Sequence, residues 1–205
     1  MLLPNGDCLW KGLNSFFVDM RNLIQYLRFQ DFNGYICCNF NDKQGIIFLL
    51  EGDAVCGMLE NGKQKKRGKD IVKDILDTTK NEKDIQLDVY SLSFRSIEVI
   101  TDFFFKDSKP YQMNLSADFL NIESYVNKHL NKINFNGYIE IHFHEGDDGF
   151  VSFNDGKVYS IITNSLQIRK DRATQSELKV FDMYALKIFE RAKSSGATYD
   201  VYTTD

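Results

Sequence analysis

The pentapeptide Phe32-Asn33-Gly34-Tyr35-Ile36 returns letter for letter as Phe135-Asn136-Gly137-Tyr138-Ile139, 103 residues later. Its surroundings return in pattern. Phe17-Val18-Asp19-Met20 before the first copy matches Phe119-Leu120-Asn121-Ile122 before the second, and Gly45-Ile46-Ile47-Phe48 after it matches Gly149-Phe150-Val151-Ser152. A chain of 205 residues duplicated in this way is expected to fold as two units of about 100 residues, each able to bury a small core. The expected division is 1–92 for the first unit, 93–110 for a connecting segment and 111–205 for the second.

Inside each unit the apolar period changes at the pentapeptide. Met20, Leu23, Ile24 and Leu27 stand at helical spacing behind Asp19 as N-cap, and Ile122, Tyr125, Val126 and Leu130 stand behind Asn121. After the glycine the period falls to two. Ile36, Cys38 and Phe40 alternate with Tyr35, Cys37 and Asn39, and Ile139, Ile141 and Phe143 alternate with Tyr138, Glu140, His142 and His144. This predicts strands with one buried and one wetter side. Turns at 41–45 and 145–149, then at 51–53 and 154–156, predict a three-stranded antiparallel meander in each unit.

A second helix follows each meander, through Ile71, Val72, Ile75 and Leu76 or through Leu178, Phe181, Ala185, Leu186, Ile188, Phe189 and Ala192. A closing strand ends each unit, Ile85 to Tyr90 or Thr198 to Tyr202. Residues 1–12 show no period and read as a loose lead-in from which Leu9 and Trp10 pack on the first unit. Phe94, Ile97, Thr101 and Phe104 predict a helix in the connecting segment, with Phe103-Phe104-Phe105 covered between the units and residues 106–110 as linker. The fold class is therefore α+β: two homologous units, each an antiparallel β meander flanked by helices, packed about a pseudo-twofold.

Composition narrows the function classes. A net charge of −4 gives no broad electrostatic hold on phosphates, so nucleic acid is not an expected partner. No run approaches the roughly 18 apolar residues that cross a bilayer, and the first residues lack the basic opening and apolar core of an export signal. Membrane partners are not expected and the location is read as cytoplasmic. The cysteines Cys8, Cys37, Cys38 and Cys56 show no C-x-x-C pair, which suits reduced thiols.

The helix, the F-x-G-x-[IL] strand, the Gly-x-[IL] strand, the acidic-Gly turn and the following G-x-x-[AI]-[VL] helix together resemble the PATAN domain. The carriers in the first unit are Phe32, Gly34, Ile36, Gly45, Ile47, Gly52, Gly68, Ile71, Val72 and Leu76. Those in the second are Phe135, Gly137, Ile139, Gly149, Val151 and Gly156. The resemblance implies a bacterial signalling module that contacts other signalling proteins, linked to motility or GTPase regulation, with no catalytic residues and no cofactor.

Three groups of residues carry candidate chemistry. His142 and His144, with carboxylates in the next turn, form the most metal-like cluster, yet they align with Asn39 and Asn41, and solvated surface histidines are the commoner meaning. Lys63, Lys65, Lys66, Arg67 and Lys69 form the one strongly basic run, before a helix, and make a candidate contact for an anion or an acidic partner. It is not a phosphate-binding P-loop, because Asp70 follows Lys69 where a hydroxyl is required. Tyr35, Tyr138, Tyr159 and Tyr199 are candidate interface anchors, though tyrosine is as much at home in plain sheet.

No nucleophile, base and orienting third group are legible, so no enzyme class is supported. The expectation is a non-catalytic interaction module whose partners are other signalling proteins or a second copy of itself in a homodimer. The alternative is a sensor that binds a nucleotide or other anion through residues 63–69.

Overall fold

The structure is a computed structural model that describes residues 6–62, 64–82, 84–104, 108–145 and 148–204, without the side chains of 102–104. Two compact units divide the chain, Asn5–Lys106 and Asp107–Asp205.

In the first unit the helix α1 spans Met20–Phe29 and buries Met20, Leu23 and Leu27, while the Asp19 carboxylate accepts the Asn22 N–H at 2.9 Å. The pentapeptide then turns the chain into the sheet. The Phe32 N–H donates to the Leu27 carbonyl at 3.1 Å, and the Phe32 carbonyl accepts the Gly52 N–H at 2.8 Å. In the second unit Phe135 bonds to Leu130 and Gly156 in the same way, at 3.0 and 2.9 Å. Gly34 and Gly137 are glycine for lack of room. A Cβ on either would overlap the carbonyl oxygen of the adjoining closing strand, that of Tyr90 or of Tyr202.

The first sheet comprises β1 (Asp7–Asn14), β2 (Gly34–Asn39), β3 (Gln44–Leu50), β4 (Asp53–Asn61), β5 (Gln64–Gly68) and β6 (Gln86–Ser91). The helices α2 (Asp70–Asn81) and α3 (Phe94–Phe104) complete that unit. The second unit holds β7 (Ser108–Ser116), α4 (Ile122–Tyr125), β8 (Gly137–Phe143), β9 (Asp148–Asn154), β10 (Lys157–Thr163), β11 (Gln167–Arg169), α5 (Gln175–Ser195) and β12 (Ala197–Thr204). The strand orders are β1-β6-β2-β3-β4-β5 and β7-β12-β8-β9-β10-β11, antiparallel at each neighbouring pair. Adding six to each label of the first sheet produces the second. The expected fold class is what the structure has, with two further strands in each unit.

Those further strands correct the reading of several segments. The lead-in is not loose: residues 7–14 form the edge strand β1, and Trp10 packs against Tyr26 at 5.9 Å between ring centroids while Leu9 is exposed. Its period is hidden by register shifts around Trp10. The segment 93–110 does not stand apart as a connector. Its helix, α3, packs on β3 and β4 of the first unit, and Ser108, Lys109 and Pro110 belong to β7. Pro110 suits an edge strand, which needs no second partner. The Phe103-Phe104-Phe105 run lies outside the residues whose side chains are described.

The wetter side expected of each sheet is buried. Tyr35, Cys37, Ile46 and Phe48 are inaccessible on the face that α3 covers in the first unit, and Tyr138 and Glu140 are buried at the matching positions of the second. The opposite faces pack on the helices, with Ile36, Cys38, Ile47, Leu49 and Ile75 in one core and Ile139, Ile141, Val151, Phe181 and Phe189 in the other.

Candidate functional site

The first helix of each unit runs beside the hairpin turn that joins the third and fourth strands of its sheet, and a groove lies between them. In the first unit Arg21, Ile24, Gln25, Arg28 and Phe29 of α1 face Gly52, Asp53 and Ala54 across a space of about 520 Å³. In the second unit Glu123, Val126, Asn127 and Asn131 face Gly156, Lys157 and Val158 across about 400 Å³. These are repeat-equivalent positions: Ile24 matches Val126, Gln25 matches Asn127, and Ala54 matches Val158. The duplication therefore carried a surface groove as well as two cores.

A two-residue turn builds the floor of each groove. Glu51 and Gly52 have φ of 50° and 79°, and Asp155 and Gly156 have 50° and 74°, the left-handed pair that a type I′ hairpin requires. Glycine is needed at the second position because the helix backbone comes so close. A Cβ there would overlap the Cα of Arg28 in the first unit and lie 2.5 Å from that of Asn131 in the second.

The second groove differs in two ways, each with a local cause. Asp19 and Asn121 are 102 residues apart but Leu27 and Leu130 are 103 apart, so the second helix holds one extra residue. It is absorbed as a π-helical turn over Val126–Leu130 that continues α4, a device frequent at functional sites. The second difference is the length of the later helix, 21 residues in α5 against 12 in α2. α5 supplies Asp182, Ala185, Leu186 and Phe189 to the groove as an additional wall. Its start is held by a capping box, in which Thr174 accepts the Glu177 N–H at 3.3 Å and Glu177 accepts the Thr174 N–H at 2.7 Å.

Charge changes sign at two positions between the grooves. Arg21 is replaced by Glu123, and Asp53 by Lys157. Arg28, which pairs with Asp53 at 3.1 Å, is replaced by the neutral Asn131. Both members of that pair are mostly exposed, so it holds little energy. Neither groove brings a thiol, hydroxyl or imidazole nucleophile to a base; both offer apolar floors with charged rims, which suits a peptide surface.

The basic run lies elsewhere and is divided. Lys63 is outside the described residues, and Lys65, Lys66 and Arg67 lie in the edge strand β5 rather than in a loop. Pairing sets Lys65 against Glu60, Lys66 against Leu59 and Arg67 against Met58, so Lys66 points to the opposite face from the other two. Lys69 stands at the start of α2 with no side-chain cap bond. These residues do not assemble into one anion cradle.

The two histidines of the metal-like cluster are separately engaged. His142 Nδ1 lies 3.0 Å from Asp148 Oδ1 and its Nε2 lies 3.2 Å from Asp200 Oδ2, so carboxylates occupy both ends of the ring. His144 is exposed against Gly196, where a Cβ would come within 2.6 Å of its Nδ1. Among the described residues no group of three His, Cys, Asp or Glu side chains is placed to hold a metal ion. The first unit fills the equivalent stations with amides: Asn39 donates to Asp88 at 3.3 Å and accepts from Gln44 at 2.8 Å.

Tyr35, Tyr138 and Tyr199 are core residues and not surface anchors, and the first two stack on Tyr90 and Tyr202 at 5.0 and 4.8 Å. Tyr159 is half-buried. The thiols are unpaired by disulfide, and burial pushes Cys37 and Cys56 up to about 12 and Cys38 well above its ordinary value, leaving them inert as nucleophiles. No helix among the described residues is long and apolar enough to cross a membrane. Several exposed aromatics are ones the periodicity passed over, among them Phe17, Phe29 and Phe119, while Phe94, placed on a periodic helix face, is exposed too. Phe17 and Phe119 precede the first helices at equivalent positions.

No curated protein and no solved structure matches the chain. A family model does match, over residues 1–103, and it is an archaeal family and not the PATAN domain. The turn glycines and core positions behind that resemblance are what a hairpin packed under a helix demands of any family, so they did not identify one. The bacterial setting, motility and GTPase regulation came with the resemblance and lose their support with it. With half of its residues matched by the model, the chain belongs to the family described as an uncharacterised protein conserved in archaea (DUF2226).

Proposed function

We propose that the protein is a non-catalytic interaction module whose two units each present a groove to a protein partner. The observation that carries this reading is the recurrence of the groove at equivalent positions with its apolar floor kept and its rim recharged. The floor residues Ile24, Ala54, Val126 and Val158 also pack on the cores and recur for that reason, so the support lies in the open space kept above them and in the charges and exposed apolar side chains around it. Exposed Phe29 beside the first groove and Leu186 beside the second are the apolar contacts such a surface uses.

The alternative, a nucleotide or anion sensor working through Lys65, Lys66, Arg67 and Lys69, has less support because strand alternation points those cations to different faces. A photo-crosslinking residue at Gln25 and at Asn127, with Lys11 and Lys187 as exposed controls, tests the reading in the native cell. Protein adducts confined to Gln25 and Asn127 are expected. Adducts equal at the controls, or none at the grooves while a nucleotide panel raises the melting temperature, would sink it.

A further inference from the structure

The two grooves are unequal in a complementary sense. The first is rimmed by Arg21 and Arg28 and carries Phe29, an aromatic ring 77% exposed on the last turn of α1. The second is a walled hollow with Val126, Val158 and Phe189 in its lining, and with Glu123, Asp182, Lys157 and Lys170 around it. Neither Glu123 nor Asp182 forms an ion pair among the described residues, and Arg21 forms none either. One groove thus bears a knob beside Arg21 and the Arg28–Asp53 pair, and the other a hole beside Glu123 and Lys157, which carry the opposite signs at the positions of Arg21 and Asp53.

We propose that the partner of the second groove is the first groove of another copy of this chain, with Phe29 inserted into the hollow, Arg21 set against Glu123 and Asp53 against Lys157. The inference rests on the interaction-module reading and names its partner. Three features select a second copy over an unrelated peptide. Both positions that are charged in both units have opposite sign, Arg21 against Glu123 and Asp53 against Lys157, as contact between unlike units requires. The knob is present in one unit only, since Lys132 stands at the position equivalent to Phe29. The hole has a second helical wall in one unit only, because α5 lines the second groove and no residue of α2 lines the first. Contact between unlike surfaces leaves one knob and one hole open after the first contact, so two copies close on each other or further copies add.

Sedimentation velocity of the purified full chain over a concentration series is the test. The wild type is expected to gain mass with concentration, and less so at high salt, because the rim charges are exposed. Phe29→Ala, at an exposed position that leaves folding intact, is expected to weaken association by about tenfold or more. Arg21→Glu should weaken it as well, and the double variant Arg21→Glu with Glu123→Arg should restore it. Leu186→Lys sets a cation over the hole, where it repels the incoming Arg21; mixed with Phe29→Ala, it should form a one-to-one complex that neither variant forms alone. A wild type that stays monomeric throughout, or association indifferent to Phe29 and Leu186, overturns the proposal. Groove-confined adducts to some other protein would leave the interaction-module reading standing even then.

Discussion

The Asn33 side chain accepts the backbone N–H of Glu51 at 2.9 Å, and Asn136 repeats the bond to Asp155 at the same 2.9 Å. Each asparagine also offers its backbone carbonyl to the end of the closing strand, to the Leu92 N–H at 2.9 Å or the Thr204 N–H at 3.0 Å. One residue therefore ties together the helix exit, the hairpin turn beneath the groove and the last strand of the sheet. That triple duty explains why asparagine, and not merely a turn former, stands inside both copies of the pentapeptide. Replacing Asn33 or Asn136 by Ala is expected to cost about 0.5–1.5 kcal/mol each, read as a lower midpoint in chemical denaturation. An unchanged midpoint would show that the bond is replaced by water at no cost.

Buried thiols give the fold an alkaline limit. Cys37 and Cys56 are pushed from an ordinary 9.0 up to about 12 by desolvation, and burial raises Cys38 well above 9.0 as well. The folded state therefore holds these protons more tightly than the unfolded chain does. Their contribution is complete below pH 9 and is lost as pH rises from 9 towards 12, so stability falls across that window. Tyr199 and Tyr125, raised by burial from 10.0 to about 12, act in the same sense. Denaturation midpoints between pH 8 and 11 should decline, and a thiol reagent at neutral pH should find Cys8 alone in the native protein, since the other cysteines are buried.

The hydroxyl of Tyr199 is buried without a hydrogen-bond partner. Its ring sits in the core of the second unit opposite Ile141, at the station that Leu87 occupies opposite Cys38 in the first. An unsatisfied buried hydroxyl is destabilising, whereas the ring that carries it fills volume. Tyr199→Phe keeps the volume and removes the orphan, so it is expected to raise stability by roughly 1 kcal/mol in thermal or chemical unfolding. A loss of stability would mean that the hydroxyl finds an ordered water.

Local chemistry was the legible part of this chain. Helix starts were readable from Asp19 and Asn121 because a cap acts on residues three positions away, and both side chains make that bond. The meanders were readable from period two and the turns. β1 and β7 were not, since Gly12 and Asn114 adopt positive φ inside them and break the alternation. The burial of Tyr138 and Glu140 was also hidden, because a strand's sequence records that it alternates but not what lies over each face. The groove lay furthest from view. Glu123, Lys157 and Asp182 come from three separate elements, and only their meeting in space makes the change of sign relative to Arg21 and Asp53 meaningful.

The π-helical turn at Val126–Leu130 offers a direct way to separate stability from recognition. An inserted residue in a helix usually strains its hydrogen bonds, and such turns persist where the altered surface is used. In the first unit the same span from cap to pentapeptide closes as a regular α-helix with one residue fewer, and its core is complete. Deleting Lys128, which is exposed, should let the second helix close in the same way while Ile122 and the residue now one place nearer it, Leu130, stay buried. The expected result is a folded chain with stability within about 1 kcal/mol of the wild type, as for other surface changes. Self-association should fall at the same time, because the deletion rotates Glu123 and Asn127 relative to Asn131 along one wall of the groove. If the deletion unfolds the second unit, the extra residue serves its core; if association survives it, the binding surface lies elsewhere.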